Sequence, residues 1–177
     1  MAEREALRDF QRRLADRLQA APTLGVQAAW LAVEAAGGRY LIPLAQAGEI
    51  FPAVDALTVP HTQPWFLGVV SLRGGLYGVV DLAIWLAAPP QGLPRPRASS
   101  PQAQLITFNP ALEVQCALRV DRLVGLRGPE HFCGSTPPPE AGPNGLGPVL
   151  HEASGRPWQA LDLQAWSRQP QFLRVGV

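Results

Sequence analysis

Three histidines, two cysteines and 14 acidic residues are the side chains of this 177-residue chain that could ligate a metal or move a proton. His61, His131 and His151 stand in VPHTQP, PEHFCG and VLHEAS, three loop-like contexts far apart in sequence. Zinc ligation would need them gathered around Cys116 or Cys133, and none shows the close ligand spacing that marks a zinc site. Cys116 lies in an apolar run and Cys133 in a Gly/Pro-rich stretch, without a CxxC spacing. They read as an inert buried thiol and an incidental one rather than as a disulfide, which suits a reducing compartment. Asp81 and Asp162 each follow an apolar run and precede a leucine. An aspartate so placed accepts hydrogen bonds from turn amides, so the two are expected to be structural rather than a catalytic pair.

The charge pattern removes further chemistries. All 15 basic residues are arginine, so there is no lysine for a P-loop, a Schiff base or a general base. No GxSxG, HExxH, GxGxxG or GxxxxGK(S/T) motif occurs, and with these go the usual nucleophile, metal and phosphate sites. The arginines are interspersed with acids and the formal net charge is +1, so no basic stripe marks a nucleic-acid footprint. No catalytic residue, cofactor site or metal site is expected. The opening MAEREALRDF has no apolar core and no cleavage site, and no apolar run reaches the roughly 18 residues of a membrane span. A chain that is neither exported by this route nor membrane-spanning is expected.

The elements that must position the remaining side chains are legible in the hydrophobic pattern. Leu7, Phe10, Leu14 and Leu18 recur at spacings of three, four and four, which places them on one face of a helix ended by Pro22. That stripe needs cover from this chain, a second copy or a partner. After Thr23 the chain turns to short apolar runs, WLAVEA, RYLIPLA, LGVVSL, LYGVVDL, AQLITF and VQCALRV, separated by Gly, Pro, Asn and Ser. Such runs read as strands of an all-β body. Gly37-Gly38 marks a tight hairpin, and Asn109-Pro110 plays the corresponding part later. Residues 89–102 and 134–148 are rich in proline and glycine and read as loops.

The two halves of this β region resemble each other. YLIPLAQAGEI (40–50) aligns without a gap on CALRVDRLVGL (116–126), and LYGVVDLAIWL (76–86) on PWQALDLQAWS (157–167), matching an aromatic, an Asp-Leu pair and a tryptophan. The offsets are 76 and 81 positions, a difference that loops absorb. Two copies of one small β unit follow, each large enough for a five-stranded barrel whose closure removes free edges.

These residues also carry a family resemblance. GVVSLRGGLYGVVDLAIWL (68–86) resembles the signature of the CheW-like family, a strand leading through an (N/S)LRG turn into a second strand that ends in Asp-Leu. AQAGEIFPA (45–53) is similar to the family segment with its Glu-Ile pair, VPHTQPWFLGVV to the linker before the signature, and LRVDRLVGLRG (118–128) to the second-half VDxV(L/I)G segment. Trp65 and the leading helix resemble the PilI-type members, the adaptors of type IV pilus (twitching motility) chemosensory systems. Ser71 replaces the usual asparagine.

The resemblance implies a mainly β fold of two intertwined SH3-like five-stranded β-barrels with an N-terminal amphipathic helix. The expected division is a helix over 1–24, a first half over 28–88, a Pro-rich linker over 89–102, a second half over 103–166 and a C-terminal extension over 167–177. It further implies a non-catalytic adaptor that couples the cytoplasmic tip of methyl-accepting chemoreceptors to the regulatory domain of a CheA-type histidine kinase. Such an adaptor is cytoplasmic and is recruited to membrane receptor arrays, with no nucleic acid, membrane insertion or cofactor involved. The partner-binding residues expected are Arg73, Glu49, Ile50, Ala47 and Gly74, with Arg73 and Glu49 close enough to pair. The competing readings are a small-molecule-binding β-barrel and another SH3-like peptide-binding module.

Overall fold

The computed structural model describes residues 29–87, 100–139 and 145–177. The expected N-terminal helix, with Leu7, Phe10, Leu14 and Leu18, lies outside the described residues, as does most of the 89–102 linker. Eleven strands are seen: β1 (Trp30–Ala35), β2 (Gly38–Pro43), β3 (Ala47–Pro52), β4 (Phe66–Leu72), β5 (Gly75–Asp81), β6 (Gln104–Phe108), β7 (Cys116–Val120), β8 (Arg122–Arg127), β9 (Phe132–Thr136), β10 (Leu146–Glu152) and β11 (Pro157–Leu161). Three short helices, α1 (Leu82–Leu86), α2 (Leu163–Trp166) and α3 (Pro170–Leu173), complete the described chain apart from two single 3-10 turns. Among the described residues, no helix is long and apolar enough to cross a membrane.

The strands form a six-stranded sheet in the order β8-β1-β2-β11-β10-β9 and a five-stranded sheet in the order β3-β6-β7-β5-β4. Each sheet therefore draws strands from both copies of the sequence repeat. The copies meet in four pairings, two antiparallel, β1 with β8 and β3 with β6, and two parallel, β5 with β7 and β2 with β11. In the first parallel pairing, Gly78 faces Cys116 and Val79 faces Ala117; in the second, Gln159 faces Tyr40 and Ala160 faces Leu41. Shifting Tyr40 by 76 positions gives Cys116, and Gly78 by 81 gives Gln159, so the two ladders are the same pair with the copies exchanged. The repeat-equivalent Trp85 and Trp166 meet with ring centroids 6.0 Å apart.

This topology explains why the strands read as continuous apolar runs. Alternate residues face opposite sides of a strand, and here both sides are covered. Leu31, Val33, Ile42, Val80, Ile106 and Leu118 enter one large core shared by both sheets. Their neighbours Val79, Leu105 and Ala117 enter a second cluster belonging to the five-stranded sheet, and Ala32, Leu41 and Trp158 a third belonging to the six-stranded one. Each such valine, leucine or isoleucine, taken fully out of water, contributes about 1.5–3 kcal/mol. Asp81 and Asp162 close the second copy's match: each caps a helix, accepting from the Ile84 and Ala165 amides at 3.1 Å, as an N-cap residue does. Asp81 also pairs with Arg119 at 3.3 Å in a largely buried position.

Several sequence expectations need correction. The ladders do not close into barrels: both sheets are open among the described residues. Between β3 and β4 the chain 53–65, which includes Pro60 and Pro64, makes two isolated bridges, Leu57 to Val69 and Thr62 to Gly176, in place of a closing ladder; proline cannot donate to one. The first hairpin turns at Ala36-Gly37, with Gly38 already paired to Ala35. Residues 134–136 and 146–148 are not loop: they belong to β9 and β10. Pro148 is tolerated there because it falls in the register shift between Leu146 and Val149, where no ladder bond is lost. His151 and Cys133 therefore lie on strands. Finally, the C-terminal segment is anchored: Phe172, only 3% exposed, stacks on Trp65 and Phe108 at 5.8 Å and meets Trp85 edge-on at 5.0 Å.

Candidate functional surface

The turn joining β4 to β5 has the same two-residue form as the Ala36-Gly37 hairpin. Leu72 pairs with Gly75, so Arg73 and Gly74 alone make the turn, with φ of +47° and +82°. Two central residues at positive φ define the type I′ geometry that suits the twist of a hairpin. Glycine takes this conformation freely; an arginine does so only with steric cost. The signature's arginine thus stands at the apex of a hairpin in a backbone position that disfavours it.

Its partner comes from the far edge of the same sheet. β3 and β4 are the two edge strands of the five-stranded sheet, yet Arg73 Nη1 lies 2.9 Å from Glu49 Oε2, so the sheet curls until its edges nearly meet. Glu49 reaches this position through a bulge. Ala47 pairs with Phe108 and Ile50 with Ile106, leaving Gly48 and Glu49 together opposite Thr107. Gly48 is pressed against β6, where a methyl group would come within 2.5 Å of Thr107 Oγ1 and 2.7 Å of the Phe108 carbonyl oxygen. The arginine is held from a second side, its guanidinium carbon 5.8 Å from the centre of the Phe51 ring.

The sequence-derived residues therefore divide. Arg73, Gly74 and Glu49 come together, and the side chains of the ion pair remain 74% and 54% exposed. Ile50 is adjacent and 41% exposed. Ala47 is half-buried and packs against the shared core. Sequence reasoning missed Phe51 and Thr107. Phe51 sits two residues from Glu49, hence on the same strand face, and Thr107 is the one hydroxyl in the apolar strand QLITF; both signals were available.

What this corner can do is bind. A planar guanidinium on display, oriented by a carboxylate and an aromatic ring, offers several directed donors to a partner surface. The titratable groups elsewhere do not converge: among the described residues no three of His, Cys, Asp and Glu come together as metal ligands. Cys116 is buried, and burial pushes its thiol far above the ordinary value, while Cys133 is exposed and both are free thiols. Cys133 donates to the His151 carbonyl at 3.4 Å. A cleft of about 380 Å³ opens between the 53–56 segment and β7, but the guanidinium at its wall, Arg119, is engaged by Asp81.

Two interlocked β-sheets with a displayed hydrogen-bonding corner define a protein that works by contact, a scaffold. Residues 29–171 match the CheW-like domain, and the chain belongs to the CheW-like family, whose members are non-catalytic scaffold proteins of chemotaxis-type signalling that couple chemoreceptors to CheA kinases. Over 149 residues it is 28% identical to Protein PilI of Pseudomonas aeruginosa, covering 80% of this chain and 76% of that one. Its fold is similar to that of the scaffolding protein TtCheW from Thermoanaerobacter tengcongensis, with a TM-score of 0.64 at 16% identity over 82% of this chain and 95% of the other.

Proposed function

We propose that this protein is the adaptor of a type IV pilus chemosensory system, holding the cytoplasmic tip of a methyl-accepting receptor and the regulatory domain of a CheA-type kinase in one assembly at the membrane array. The two halves, 28–88 and 103–166, are read as exchanging strands between the two sheets. An adaptor of this kind raises the effective concentration of two weakly interacting partners and performs no chemistry itself.

The observation that carries the reading is the exposed Arg73–Glu49 pair at 2.9 Å. An exposed ion pair contributes only about 0–1 kcal/mol to folding, so stability gives little reason to hold an arginine at positive φ. At an interface the same arginine is worth more, since its fork makes several bonds while its stem covers apolar surface. Arg73, Gly74, Glu49 and Ile50 are assigned to partner contact, with Ala47 supporting them from the core side.

The test is calorimetric titration of the full chain and of R73A with a soluble receptor-tip fragment and with the kinase regulatory domain. R73A is expected to bind at least one of them about thirtyfold more weakly, a change of about 2 kcal/mol. Unchanged affinity for both would place the coupling surface elsewhere.

A further inference from the structure

We infer that Thr107 is a positioning residue for this corner, setting the direction of Glu49, and through it of Arg73, from inside the sheet. The inference rests on the reading of the corner as a contact surface. Its starting point is the bulge. Because Gly48 and Glu49 share one opposite residue, the backbone groups of Glu49 fall out of the regular ladder, as the extra residue of a bulge does. Both are taken by a single hydroxyl: Thr107 Oγ1 accepts from the Glu49 amide at 2.8 Å and donates to the Glu49 carbonyl at 3.2 Å.

Thr107 is among the few buried polar residues, 4% exposed. A hydroxyl at that depth must be satisfied by protein, and the bulge satisfies both its functions. The fit is mutual, because Gly48 leaves the space that any side chain would take from Oγ1. Hydroxyl, glycine and bulge form one unit. Its product is outside the sheet: Glu49 is turned toward Arg73 while Ile50 re-enters the ladder one residue later. Remove the hydroxyl and the bulge loses what fixes it. A strand that slips by one residue turns its side chains to the opposite face, and the carboxylate that orients Arg73 goes with it.

The experiment compares T107V, which keeps the shape and removes the hydroxyl, with T107S, which keeps the hydroxyl, each also made in E49A. The full chain is titrated with the receptor-tip fragment and the kinase regulatory domain, and amide hydrogen exchange is followed at Glu49. T107V should weaken binding about fivefold and T107S less than about twofold. T107V should add nothing in the E49A background, since both act through the same carboxylate. The Glu49 amide should exchange about tenfold faster in T107V, with the amides of Ile42 and Leu118 unchanged. If R73A and E49A weaken binding but T107V does not, or if T107V and E49A add in full, the positioning role is overturned while the contact surface stands. If R73A and E49A bind like the parent, the contact reading falls, and an unchanged Glu49 exchange rate in T107V then removes the role of Thr107 in the bulge as well. Should T107V fail to fold, T107C, similar in volume but a poor hydrogen-bonding group, is read in the same way.

Discussion

Replacing Arg73 by glycine and by alanine separates what the residue does for the fold from what it does for a partner. At φ +47° a side chain with a Cβ meets the following carbonyl, at a cost of about 1 kcal/mol or somewhat more that glycine escapes. Both substitutions delete the ion pair to Glu49, worth about 0–1 kcal/mol at this exposure, and the contact with Phe51, worth about 0.5–1 kcal/mol at an exposed site. R73A should therefore be less stable than the parent by about 1 kcal/mol, whereas R73G should come out close to it. Glycine exceeds alanine by about 1 kcal/mol, which for a chain of this size is about 2–4 °C in melting temperature. Binding should not follow that order. Neither variant has the guanidinium, so both should lose the same factor of about thirty. Thermal and urea denaturation of the two variants, run beside the titrations, decide the matter. Equal melting temperatures would show that the turn is not held at positive φ in solution, and a binding difference that follows stability would show that Arg73 acts through the fold.

Truncating Phe172 to alanine removes a ring that touches Trp65, Trp85, Phe108 and Trp166, and should lower the stability measured in urea by about 3–5 kcal/mol; a loss under about 1 kcal/mol would mean that the C-terminal segment is detached in solution. Cys116 provides a pH test. Burial raises its thiol far above 9.0 in the fold, so above that pH the unfolded chain loses the proton first, and its contribution is intact below pH 9 and falls by about 1.4 kcal/mol per unit as pH rises beyond it. Urea denaturation between pH 7 and 10.5 should give a steeper alkaline decline for the parent than for C116A, and equal slopes would contradict the assignment.

The sequence pattern carries the strands, the repeat and the chemistry of the signature turn, because these depend on local spacing. Which strands become neighbours is another matter. A run such as LYGVVDL announces that both its faces are buried, but Val79 and Val80 say nothing of β7 as the partner, and the parallel pairing that joins Asp81 to Arg119 spans 38 residues. β9 was hidden for a different reason. Its residues FCGST are mostly exposed, and an edge strand with one covered side has little hydrophobic signal to give. The bulge left its traces in Gly48 and in the lone hydroxyl of Thr107, but the two lie 59 positions apart and nothing in the sequence joins them. Phe172 was missed because one aromatic in a polar tail has no period to reveal it.

Comparison of the two copies shows where the fold permits divergence. The repeat places Ile50 on Leu126 and Glu49 on Gly125, at the edge strands β3 and β8 of the two sheets. Both apolar residues are exposed, at 41% and 54%, but the carboxylate has no equivalent in the second copy. The turn that should present a second Arg73 is instead the longer connection 153–156 between β10 and β11, and β9 covers the edge that β4 leaves open. The interior shows the reverse. Leu82 and Leu163, Trp85 and Trp166, Asp81 and Asp162 keep their identities and their roles. Core positions answer to neighbours from both copies at once, since each sheet is built from both, so a change in one copy must be matched by the other. Edge and turn positions have one side in solvent and fewer partners, and it is there that the two copies differ. The Arg73–Glu49 corner thus stands at a turn and an edge that the second copy does not reproduce, with both side chains left largely in solvent.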